Sequence, residues 1–76
     1  NDALYHITTD HKTTYVSEIQ NNELINIQTV DNKSIWCYEP EPFITSNGHL
    51  ILIFRNEKVR GYLDIFKNLI TIHYYQ

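Results

Sequence analysis

Apolar and polar side chains alternate along the last third of the chain. Val59, Leu63 and Ile65 are interleaved with Arg60, Tyr62 and Asp64, and Ile70, Ile72 and Tyr74 with Thr71, His73 and Tyr75. A period of two puts successive side chains on opposite faces of a pleated strand. The run before them, His49 to Arg55, is rich in the branched and aromatic types that suit such a surface. Asn56-Glu57-Lys58 and Lys67-Asn68 separate the three runs, and both have turn chemistry. Residues 49–76 therefore predict a three-stranded antiparallel meander.

The first half reads in the same way, less regularly. Asp2 to Thr9, Thr13 to Gln20 and Glu23 to Val30 predict three strands, joined at Asp10-His11-Lys12 and at Asn21-Asn22. Two Asn between apolar segments suit a tight hairpin, because Asn tolerates positive φ. After a turn at Asp31-Asn32-Lys33, Ser34 to Tyr38 predicts a short strand. Glu39-Pro40-Glu41-Pro42 cannot be a central strand, since each Pro lacks an N–H donor, and is expected as an extended, exposed connection. Phe43-Ile44-Thr45 rejoins the sheet before the Ser46-Asn47-Gly48 turn.

The expected fold is all-β: a small antiparallel meander of six to seven short strands, closing into a barrel or a strongly twisted sheet. Its competitor is an α+β fold with one helix near residues 14–28. Val16, Ile19, Glu23, Ile27 and Val30 fall near helical spacing, but the branched residues and the Asn pair weigh against it.

Composition sharpens this picture. Eleven Ile and six Tyr against one Ala and no Met favour strands over helices. Seventy-six residues make one domain, 1–76. A chain of this size buries only about 60% of its unfolded surface, and one cysteine allows no internal disulfide. Association with a partner or another copy is the usual remedy. The sequence does not begin with Met, so it is expected to be a processed product or an excised domain. No run approaches the roughly 18 apolar residues of a membrane span. An extracytoplasmic setting is slightly favoured.

Charge is uneven. Residues 1–42 carry seven acids against two lysines, a balance of −5, and residues 43–76 carry four cations against two acids, a balance of +2. Solvated faces explain this simply, and an oriented partner surface is the functional alternative.

Few residues suggest chemistry. His6, His11, His49 and His73 lack the local pairing of a zinc site, so no metal or cofactor is expected. Cys37 reads as a structural thiol with no base assigned to it. Glu39 and Glu41 sit in a Pro-flanked loop with little room for a sugar cleft. Gly48 and Gly61 are too far apart for a phosphate loop. Arg55, Lys58, Arg60 and Lys67 lie near Phe54, Tyr62, Phe66 and Tyr75, but an acid, Asp64, shares the face and the net charge is −3. That weighs against nucleic acid. Asn32-Lys33-Ser34 matches the N-glycosylation sequon, a pattern with many false positives.

The aromatics are the most usable signal. Trp36, Tyr38, Phe43, Tyr62, Phe66, Tyr74 and Tyr75 exceed what a small core needs, and such residues favour interfaces and apolar clefts. Leu69 to Tyr75 is apolar or aromatic on both faces and has no acidic or lysine gatekeeper, so its edge should be covered. Asp2 to Thr9 would cover it by closing a barrel, or another chain by adding a strand. The expectation is a non-catalytic β interaction module that pairs with a protein partner or forms a homo-oligomer, with Trp36, Tyr38, Phe43, Tyr62, Tyr74 and Tyr75 as its contact residues. An extracytoplasmic sensor binding an apolar small molecule, and a small barrel for single-stranded nucleic acid, are the alternatives.

Overall fold

The computed structural model describes residues 3–75. Asp2, where the expected first strand begins, lies outside the described residues. The chain forms seven strands: β1 (Tyr5–Thr9), β2 (Thr13–Gln20), β3 (Glu23–Asp31), β4 (Glu41–Ile44), β5 (Leu50–Arg55), β6 (Val59–Asp64) and β7 (Leu69–Tyr74). They make two antiparallel meanders, β1-β2-β3 and β4-β5-β6-β7. The all-β expectation holds, and the C-terminal meander stands as β5, β6 and β7. Residues 14–28 form a hairpin rather than a helix. Asn21 and Asn22 both take positive φ, 51° and 64°, which joins Gln20 directly to Glu23. The two sheets stay separate: β1 pairs only with β2, and neither sheet closes.

Turn chemistry sets the other corners. Asp10 Oδ1 accepts from the Lys12 and Thr13 N–H groups at 3.0 and 2.8 Å. Asn56 Oδ1 accepts in the same way from Lys58 and Val59, at 2.8 and 3.0 Å. Each short side chain stands in for a turn carbonyl and pins the register of the strand that follows.

The chain leaves the first sheet at Asn32–Ile35, which form a 3-10 turn. This corrects the strand expected at Ser34 to Tyr38. Asp31 starts the turn: its side chain accepts from Lys33 N at 3.0 Å, and its carbonyl accepts from Ser34 Oγ at 2.6 Å. Asn32 is then drawn inward. Its Oδ1 accepts from Thr14 Oγ1 at 2.6 Å, and its Nδ2 faces Thr9 Oγ1, the His11 carbonyl and the Tyr38 carbonyl at 2.9–3.2 Å. A locally satisfied side chain competes with strand pairing, and here it wins. Trp36 ends the turn in the left-handed region, at φ 53° and ψ 37°.

Alternation decides the core. Thr14, Val16 and Val30 of the first sheet are buried, as are Leu50, Leu52, Phe54, Leu63 and Ile65 of the second. The two inner faces meet there, with Ile35 between them and Tyr5, Ile7, Ile27 and Ile72 at the margin. Beyond Val16 the β2–β3 hairpin has no buried residue until Val30, so its tip projects from the core. The molecule is accordingly elongated, 46 × 28 × 15 Å.

Candidate functional site

The free edge of β7 is set by its register with β6. Val59 pairs with Tyr74 and Asp64 with Leu69, and Tyr75 N donates to the Lys58 carbonyl at 3.0 Å. Antiparallel pairing alternates, so Leu69, Thr71, His73 and Tyr75 spend their backbone groups on β6. The N–H and C=O groups of Ile70, Ile72 and Tyr74 point away from the sheet. β7 runs six residues with no charged side chain and no Pro.

The other three edges are blunted. β4 carries Pro42, whose missing N–H faces outward, because Glu41 and Phe43 make the bonds to β5. β3 is broken by a bulge opposite Val16 and Ser17 and ends in Glu23 and Asp31. β1 also lacks Pro and charge, but its end is engaged, since Thr9 Oγ1 donates to the Tyr38 carbonyl at 3.2 Å. Of the described edges, β7 is the one that is continuous and carries neither Pro, charge nor a contact of that kind.

The structure divides the six predicted aromatics into two groups, all of them exposed. Trp36, Tyr38 and Tyr74 gather at one end of the molecule. Trp36 stands between two open clefts of about 570 and 480 Å³, the first shared with His11, Lys12, Lys33 and Tyr38, the second with Lys58, Val59 and Tyr74. The Trp36 carbonyl accepts from Asn56 Nδ2 at 3.1 Å, which fixes the strained residue against the β5–β6 turn. Phe43 and Tyr62 lie instead on the outer face of the second sheet, in adjacent cross-strand rows with Ile51, Ile53 and Leu69. Tyr75 follows β7, half exposed, on the same side by alternation.

A His–Asp pair also sits on that outer face. His49 Nδ1 lies 2.7 Å from Asp64 Oδ2. This hydrogen bond, helped by the Lys67 N–H, holds the Asp64 carboxyl below its ordinary value of 3.8 against the opposing effect of burial. Fifteen residues separate the partners in sequence, so no local motif could have announced them. A His oriented by Asp becomes a general base only beside a nucleophile or substrate. The free thiol of Cys37 lies at the Trp36 end, away from this pair. It is half-buried and packs at the core margin.

Other candidates resolve simply. Among the described residues no three His, Cys, Asp or Glu side chains gather where a metal could bind, and no helix is long and apolar enough to cross a membrane. Arg55, Arg60 and His73 form one cross-strand row, but Glu41 and Asp64 occupy the same face. The sequon asparagine, Asn32, is buried with its amide fully engaged, so the folded chain offers no glycan acceptor there. Compared with known proteins, the chain matches no family model, no curated protein and no solved structure.

Proposed function

We propose that the chain is a non-catalytic interaction module that accepts an extended strand along β7. The observation that carries this reading is the outward backbone of Ile70, Ile72 and Tyr74 on an edge without Pro or charge. An edge of that kind recruits a strand by main-chain hydrogen bonds. The cover that the sequence assigned to the first strand then falls to a strand from outside the described residues.

A fluorescein-labelled Thr-Val repeat peptide tests it. Fluorescence anisotropy should rise on titration with the protein, and the rise should vanish in Ile70→Pro, which removes an outward N–H without touching the β6 ladder. It should survive in Phe43→Ser, on the outer face. Equal binding to all three proteins would place the contact elsewhere.

One further observation supports the small-molecule alternative: the only Trp is held in the left-handed region between two clefts. Trp36 emission reports on this directly. Addition of anilinonaphthalene sulfonate should quench it by energy transfer, less so in Tyr38→Ser; no difference between the two proteins would remove this alternative.

A further inference from the structure

We infer that the strand β7 accepts is β7 of a second copy, paired antiparallel about a two-fold axis at Ile72. This rests on the reading of β7 as a pairing edge and goes beyond it by naming the occupant and the register.

Register follows from which groups are free. Only Ile70, Ile72 and Tyr74 offer outward backbone groups, so hydrogen-bonded pairs between copies can form only among these three positions. Centring the axis on Ile72 pairs Ile70 with Tyr74 of the second copy, Ile72 with its own equivalent, and Tyr74 with Ile70. All three are used on both chains. Centring on Thr71 drops Tyr74 from the ladder, and centring on His73 drops Ile70 and sets two imidazoles directly opposite. The Ile72 register alone satisfies the whole edge.

Side chains agree with the backbone. On the inner face, this register sets Ile70 against Tyr74 of the second copy, an aromatic–branched pair of the kind that stabilises sheets. Ile72 meets Ile72. On the outer face Thr71 lies opposite His73, and Leu69 opposite Tyr75. No like charges face each other, because β7 carries none. An isologous contact of this sort needs one patch complementary to itself, and a neutral strand with apolar ends meets that condition.

Access is open as well. Ile70 is 42% and Tyr74 71% exposed, so the inner side is open at both ends of the edge, while Ile72 between them packs at the core margin. The product is a continuous eight-stranded sheet. Edge pairing alone makes a modest interface, so the dimer is a reversible one.

Sedimentation equilibrium from low-micromolar to near-millimolar concentration tests the inference. Wild type should pass reversibly from monomer to dimer, and Ile70→Pro should remain monomeric. Ile70→Lys and Tyr74→Glu should each weaken the dimer about tenfold, since every substitution alters two symmetry-related pairs. Combining the two substitutions sets a lysine ammonium against a glutamate carboxylate at both ends of the ladder, and this double variant should regain most of the wild-type affinity. Recovery in the double variant reads the register itself, even where the Pro variant folds poorly. A wild-type monomer throughout, or a dimer indifferent to these substitutions, would overturn the second copy as occupant. If that monomer still binds the Thr-Val peptide, the edge reading stands; if it does not, both fall.

Discussion

The ring of Phe54 lies across Gly61, its cross-strand partner between β5 and β6. A Cβ built on Gly61 would come within 2.9 Å of Phe54 Cζ and would also meet the Thr71 carbonyl. Glycine is thus required by close approach on both sides, and the largest buried side chain of the core depends on it. Gly61→Ala should cost about 2 kcal/mol through overpacking. Urea unfolding measures this. Adding Phe54→Leu should recover only part of the loss, because the clash with the Thr71 backbone remains.

Acid should weaken the fold through Asp64. Its carboxyl is held below 3.8 chiefly by His49, then by the Lys67 N–H. A carboxyl with a lowered folded-state value stabilises the protein fully above its unfolded value, and that contribution is lost as pH falls through the folded value. The urea midpoint should therefore decline as pH drops below 3.8. Asp64→Asn should flatten that decline. Some slope should persist, since Asp10 is lowered in the same direction by the Thr13 and Lys12 N–H groups.

Asn32 joins the β1–β2 turn, β2 and the segment that leads to the second sheet. Replacing it with Ala leaves the buried Thr14 hydroxyl without its acceptor, whereas the Tyr38 carbonyl still accepts from Thr9 Oγ1 at 3.2 Å. One unsatisfied buried group of this kind costs about 1–3 kcal/mol. Asn32→Asp should do no better, because a carboxylate cannot donate to the three acceptors around Nδ2. Thermal melts of both variants, compared with Ser34→Ala on the exposed side of the turn, check this.

Alternation made most strands legible, because the inner faces are buried and a one-residue slip would expose them. The meander from Leu50 to Tyr74 and the hairpin at Asn21-Asn22 followed from pattern and turn chemistry alone. The 3-10 turn did not. Ser34 to Tyr38 has strand-forming residues, and only the buried bonds of Asn32, made to residues 18 and 23 positions away, override them. Nor could the pattern say which edges meet, since alternation fixes faces and not neighbours. The same limit hid the His49–Asp64 pair and the gathering of Trp36, Tyr38 and Tyr74 at one end. The lack of a gatekeeper on β7, in contrast, was plain from its composition.

The hairpin tip offers a test of local rather than global stability. Asn21 and Asn22 hold φ of 51° and 64°, and no residue between Val16 and Val30 is buried. The turn, rather than packing, therefore holds the distal half of β2 and β3 in register. Asn22→Gly should be neutral or slightly stabilising, since glycine reaches this region without steric cost. Asn22→Val forces a branched residue into it, at about 1–2 kcal/mol. Because the tip contributes little to the core, this cost should appear as fraying. Hydrogen exchange at the Glu18, Gln20, Glu23 and Ile25 amides should accelerate about tenfold, while the urea midpoint stays close to wild type. A large drop in the midpoint would instead mean that the projecting hairpin and the core unfold as one unit.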